Sequence, residues 1–246
     1  MVLHYEAPAS DHEIHDDLFF TLPLPIRALV ANVTMLITTT VFELACWQEV
    51  KKFYAKNPKL YLSAWWTNVV TISIVNVAMY IVVATYLVDK TPNTMYQCAL
   101  KFVGIILTHN VWYYHAHRAF HEVKGLYWMH SYHHKFNNIL LPSSANAVSI
   151  WEYSIAYVFP FLLAGWMLKP DRITMLLTLK SLHLANLNIH FPLTLKKKLP
   201  WFLVSSSDHK RHHIKLKTDY GAPILFTDRI LYSLFGVMGG NPPHEE

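Results

Sequence analysis

With 246 residues, 53% of them hydrophobic and only 15% charged, and a mean hydropathy of +0.21, the chain falls well short of the roughly 25% charge of an ordinary soluble domain. A handful of membrane spans with a compact part attached fits this composition better than one soluble domain. The net charge of +5 would suit nucleic acid, but beside long apolar runs the basic residues have another task at an anionic lipid surface, and nucleic acid is not expected as a partner.

Met1 to Phe20 is acidic and dotted with His4, His12 and His15, without the basic start and apolar core of a cleaved signal peptide. Residues 1–27 read as an N-terminal tail and 28–246 as a single membrane-embedded domain. Ala28 to Cys46 is the first long apolar run, broken by Asn32, by threonines and by Glu43 near its end; it is marginal against the about 20 residues a span needs. Asn68 to Val88 is a cleaner span without charge, and Cys98 to Tyr114 is a third, with Lys101 able to snorkel from near its end. Ile150 to Leu168 and Ile173 to Ile189 are parted only by Lys169, Pro170, Asp171 and Arg172, which predicts a membrane hairpin. Its second arm carries Lys180, His183, Asn186 and His190, too polar to face lipid and suited to a bundle interior.

Lys51, Lys52, Lys56 and Lys59 gather in one loop, and Lys196, Lys197, Lys198, Lys210, Arg211, Lys215 and Lys217 in another. The positive-inside rule puts both in the cytosol. Five spans satisfy this with a lumenal N-terminus; four do so if the first run lies in the interface. Cys46 and Cys98 form no close-spaced pair, which speaks against a disulfide framework or a cysteine zinc site. The expected fold is all-α, a membrane bundle of four or five spans with a cytosolic helical cap.

Eight of the 16 histidines occupy three short boxes: His117 and His121, then His130, His133 and His134, then His209, His212 and His213. Two His-x-x-His-His strings arise by chance in roughly two such chains in a thousand. Scattered histidines such as His4, His12, His15 and His244 read instead as ordinary interfacial groups. On a helix, positions i, i+3 and i+4 share a face, so each box is expected to aim its imidazoles together. Neutral imidazole is a good ligand for iron, zinc and copper, and eight or nine are too many for one ion. Two metals a few ångströms apart would use them, and could reduce dioxygen to a species able to take hydrogen from an unactivated C–H bond, which side chains unaided cannot do. The interleaved Trp112, Tyr113, Tyr114, Tyr127, Trp128 and Tyr132 read as interfacial belt and core packing, with lining of a lipid tunnel as the alternative.

The stretch from Asn110 through His117 and His121, followed by Leu126-Tyr127, His130 and His133-His134, resembles the first two boxes of the fatty acid hydroxylase/sterol desaturase superfamily. Asp219-Tyr220-Gly221 and the segment Phe226 to Leu231 with Phe235-Gly236 are similar to the segments that follow the family's last box, and Glu152 matches a glutamate often found after box two. The resemblance runs from about Asn110 to Gly236, within a histidine-box core of about 102–236. It implies a further ligand between boxes two and three, which maps to His190. The sequence departs from the family at Asn186, where some members carry histidine, at Asn110, where many carry aspartate, and at Asp219, where many carry asparagine. Asn110 could still accept from an imidazole N–H. Asp208 reads as either a helix N-cap or an acceptor for a ligand imidazole. His183 could support the site or simply pack, and His115 should lie on the helix surface.

The resemblance further implies two iron ions, for which zinc could substitute, dioxygen as co-substrate, and electrons from cytochrome b5 or a reductase. The expected reaction is hydroxylation or desaturation of a membrane lipid such as a sterol, fatty acyl or sphingoid chain, in the endoplasmic reticulum with the site facing the cytosol. A histidine-rich metal transporter and a catalytically inactive scaffold are the competing readings.

Overall fold

The computed structural model describes residues 18–137 and 139–236. His4, His12, His15 and His244 and most of the N-terminal tail lie outside these residues. Among the described residues the chain is helical, apart from two isolated backbone bridges, Asp89 to Asp171 and Leu203 to Leu225.

Helix α1 (Leu24–Ala45) opens with a proline in its first turn, where the missing N–H costs nothing. Helix α2 (Trp47–Lys56) is amphipathic, burying Val50 and Phe53 while Lys51 and Lys52 face outward. Helix α3 (Pro58–Leu87) widens into π turns at Thr67–Ile72 and Val83–Leu87. Helix α4 (Met95–Glu122) starts from a capping box in which Gln97 N donates to Thr94 Oγ1 and Thr94 N donates to Gln97 Oε1. Helix α5 (150–168) begins after the Ser149 cap and stops at Lys169, whose φ of 44° breaks the helix. Asp171 then caps helix α6 (Arg172–Ile189) by accepting from Thr174 N at 2.7 Å. Helices α7 (Ser206–Lys215) and α8 (Thr227–Phe235) complete the chain.

All five apolar runs are helical, but the helix of the second run begins ten residues earlier than expected, at Pro58, and that of the third continues eight residues further, to Glu122. Only α1 and α3, among the described residues, are both long and apolar enough to cross a membrane, with mean hydropathies of 1.6 and 2.0. Most of each helix is exposed, and Leu29, Ile37, Val69 and Ile74 present an outer apolar face suited to hydrocarbon. The other three runs are more polar because α4 and α6 carry interior groups such as His109, Asn110, His183 and Asn186. The turn at 169–171 forms as expected, but its two arms rest mainly on α4, which lies between them.

Between helices in lipid there is no hydrophobic drive, so close packing and polar contacts must hold the bundle. Met79, Val83, Ile105, Phe161, Ala164 and Met175 interlock α3, α4, α5 and α6. Asn76 links α1 to α5, donating to Asn32 Oδ1 at 3.2 Å and accepting from Tyr153 OH at 2.6 Å. Glu43, an interruption in the sequence of the first run, is buried but fully engaged. It accepts from Tyr61 OH, Trp65 Nε1 and Ser143 N, and so ties α1 to the segment that leaves box two.

Candidate metal centre

Box one rides on the last turns of α4, with His117 and His121 four residues apart on one face. Box two lies on a helical turn, Tyr127–His130, and a 3-10 turn, His133–Phe136. His190 directly follows α6, and α7 carries His209, His212 and His213. The structure brings all nine into two adjoining groups: His117, His121, His130, His134 and His212 in one, and His133, His190, His209 and His213 in the other. Within each group the candidate ligand nitrogens lie within 4.8 Å of one another. The rings of His134 and His213, one from each group, are 4.7 Å apart centre to centre.

Boxes two and three do not aim their imidazoles together, contrary to the expectation from helical spacing. In each, the outer pair, four residues apart, serves one group and the middle histidine crosses to the other. His133 leaves His130 and His134 for the second group, and His212 leaves His209 and His213 for the first. The cause is local geometry. Adjacent residues point about 100° apart on a helix, and more on a 3-10 turn, so a residue next to the outer pair faces a different centre.

Eight of the nine are buried, and His121 is partly exposed. Nε2 to Nε2 distances are 2.9 Å for His117 and His130, 2.8 Å for His130 and His134, 3.0 Å for His190 and His209, and 3.1 Å for His209 and His213. A proton can bridge one such pair, but not four or five nitrogens that converge, whereas a divalent cation can; the donor set therefore fits a metal in each group. Three rings have their tautomer fixed from behind. His117 Nδ1 donates to Tyr220 O at 2.8 Å, His190 Nδ1 to Asn186 O at 2.8 Å and His212 Nδ1 to Thr218 O at 2.7 Å, which leaves each Nε2 lone pair aimed inward. His130 Nδ1 lies 2.7 Å from Glu152 Oε1.

Burial is the main cause that lowers these imidazoles from their ordinary value of 6.5, to about 4 at His190 and His212 and about 3 at His121. Burial and then mutual repulsion hold His117, His130, His133, His209 and His213 well below it. All are neutral near pH 7, the form that binds metal.

The loop behind the first group is pinned by charge. Arg211 donates to Asp219 through Nε at 2.7 Å and Nη2 at 3.0 Å, and to Asp208 at 2.9 Å, while Arg229 also donates to Asp208. Asp208 is thus neither the N-cap nor an acceptor for an imidazole. Ser205 is the cap, Asp208 stands three residues later in the capping box, and its free lone pairs go to two guanidiniums. Asn110 is likewise turned away from the imidazoles, its Oδ1 accepting from Ile224 N and Leu225 N at 3.0 and 2.9 Å. Asp219 sits at φ 59°, a conformation that asparagine and aspartate tolerate better than most residues, which makes this departure from the family mild.

Asn186, where some relatives have histidine, donates instead to Ala145 O and Asn146 Oδ1. His183 is buried beside a small cavity outside both groups, and His115 is exposed on α4. The carbonyls of Asn186, Thr218 and Tyr220 were invisible to sequence reasoning, since a backbone acceptor has no residue signature. Glu152 carried a signal through the family pattern, but no partner could be assigned to it.

A helical protein with two candidate membrane helices and a histidine cage able to hold two metals is the class that fold and site define. The chain belongs to the fatty acid hydroxylase family, within the fatty acid hydroxylase/sterol desaturase superfamily: the family model "Fatty acid hydroxylase" matches residues 102–233, more than half of the chain. No curated protein and no solved structure matches it.

Proposed function

We propose that this protein is a membrane-bound, dioxygen-dependent di-iron enzyme that hydroxylates or desaturates a lipid in lipid biosynthesis. The observation that carries the reading is the pair of adjoining, buried imidazole groups, five and four strong, whose Nε2 atoms converge. When bound there, two redox-active metal ions would supply the reductive activation of dioxygen that C–H oxidation needs. Every other part of the work falls to the chain's own residues.

His117, His121, His130, His134 and His212 would hold one ion, and His133, His190, His209 and His213 the other. The carbonyls behind His117, His190 and His212 fix those rings, and Glu152 lies against the back of His130. A cavity of about 290 Å³ reaches His190 between Ile139, Leu140, Ile189, Phe191 and Leu193. Those walls suit an alkyl chain and exclude water from it, while Glu49 and Lys210 at the same cavity suit a polar head.

Composition and the lysine distribution support α4, α5 and α6 as further spans of one membrane-embedded domain from residue 28, with the histidines on the cytosolic side. The family supports iron over zinc, cytochrome b5 or a reductase as electron donor, and the endoplasmic reticulum as location. The test is lipid profiling of cells expressing the wild type and a His133→Ala, His134→Ala double variant, with metal content measured on both purified proteins. A lipid heavier by one oxygen, or lighter by two hydrogens, only in an iron-loaded wild type supports the reading. A protein carrying no iron, with lipids unchanged, overturns it.

A further inference from the structure

The bundle end remote from the histidines carries a cavity of about 350 Å³. Arg172 lines it at the start of α6, whereas His190 follows the end of that helix. At 1.5 Å per residue, α6's 18 residues separate the two by about 27 Å. Val83, Phe161, Met175 and Leu179, from four-helix packing of α3, α5 and α6 against α1, give the cavity apolar walls, and Arg27 and Lys90 give it positive charge. We propose that this cavity binds a phospholipid with an anionic headgroup, its phosphate on Arg27 and Lys90 and part of one acyl chain between the walls.

Three observations point to that occupant. Arg27 Nε is enclosed and has no hydrogen-bond acceptor, a donor that is costly to leave unmet. Among the described residues no carboxylate is within ion-pair distance of Arg27 or Lys90. The acids there have other partners: Asp89, which also lines the cavity, accepts from Thr91 N and Oγ1 through Oδ1, and Asp171 accepts from Thr174 N and Asn93 N. The Arg172 guanidinium lies 4.4 Å over the Phe20 ring.

The cavity lies at the ends of α1 and α3, the two helices fit to cross a membrane, which puts Arg27 and Lys90 at headgroup level. A phosphate there meets guanidinium and ammonium donors in charge-assisted bonds. Met79, Phe161 and Leu179 separate the cavity from an inner void of only about 40 Å³. An acyl chain entering from this end therefore stops short of the histidines, and the bound lipid is a resident of the fold and not the substrate proposed above.

The test uses the full chain in detergent, with native mass spectrometry and thermal unfolding as readouts. The probes are phosphatidylglycerol, phosphatidylcholine and inorganic phosphate. Phosphatidylglycerol is expected to be retained about ten-fold better than phosphatidylcholine and to raise the unfolding midpoint, a discrimination of the size one charge-assisted contact gives. The Arg27→Gln, Lys90→Gln double variant is expected to lose this preference. Ala84→Phe, which fills the cavity and leaves the charges in place, is expected to lose retention of both lipids. Equal retention of the two lipids, unchanged phosphatidylglycerol retention in either variant, or equal stabilisation by inorganic phosphate alone would overturn the proposal.

Discussion

His130 and Glu152 meet in the interior of the protein, Nδ1 to Oε1 at 2.7 Å, with side chains 0% and 1% exposed. The contact joins box two to the start of α5, 22 residues away in sequence and on another helix. A carboxylate behind a ligand imidazole selects the tautomer, fixes the ring and raises the basicity of the inward nitrogen.

Glu152→Ala is therefore expected to weaken metal binding by about 10–100-fold, in the range that loss of such a supporting group causes. Glu152→Gln keeps a polar group of the same shape against His130, and should lie between wild type and alanine. Metal retained after a timed chelator challenge separates the three proteins. Equal retention in all of them would show that Glu152 does not act on His130.

Stability of the metal-free protein should fall as pH drops below about 6.5. Burial holds His190 and His212 at about 4 and His121 at about 3, so these groups are neutral in the folded state and take up protons on unfolding. A lowered folded value means the stability is fully present above the unfolded value of 6.5 and is lost as pH descends toward the folded values. Each such imidazole costs up to about 1.4 kcal/mol per pH unit in that window. Unfolding midpoints measured in detergent from pH 7.5 to 5 test this, and a flat profile would contradict the burial of the cage.

The helical class and the eight box histidines were legible in the sequence because both depend on local patterns: apolar runs of span length and box spacing. His190 was placed through family resemblance alone, and the structure sets it beside His133 and His209. What local pattern could not show is which histidines share a centre, since His133 and His134 are neighbours in sequence yet belong to different groups. The same limit applies to Asn110 and Asp208. Their side chains could be recognised as acceptors, and Arg211, three residues from Asp208 on α7, is a local partner; but Ile224 N and Leu225 N for Asn110 and Arg229 for Asp208 come from folding the C-terminal segment over α4 and α7.

Gly221→Ala should destabilise the protein and the first group together. A Cβ there would stand 2.6 Å from Thr227 N and 2.9 Å from Leu225 O, backbone atoms that cannot step aside. Gly221 N also donates to Asp228 Oδ2, beside Tyr220 N donating to Oδ1, and Tyr220 O holds His117. A cost of about 1–3 kcal/mol is the usual scale for overpacking of this kind. It should appear as a lower unfolding midpoint and weaker metal retention; an unchanged midpoint would mean the loop relaxes freely.

The crossing of His133 and His212 between groups gives a metal-counting experiment in which grouping by box and grouping by space predict different results. His121, His134 and His212 come one from each box but share the first group, so the His121→Ala, His134→Ala, His212→Ala variant leaves all four ligands of the second group in place. It should retain about one metal ion per chain, because four imidazoles suffice for a site of this type. His121→Ala, His133→Ala and His212→Ala also take one histidine from each box, but they leave three ligands in each group. Neither site then keeps four imidazoles, and after the same chelator challenge this protein should hold less metal than the first, although both lack three histidines. Elemental analysis of the two purified variants beside the wild type reads the difference directly. Equal losses would mean the ligands are pooled across one shared site, and a greater loss in the His121, His134, His212 variant would reverse the assignment.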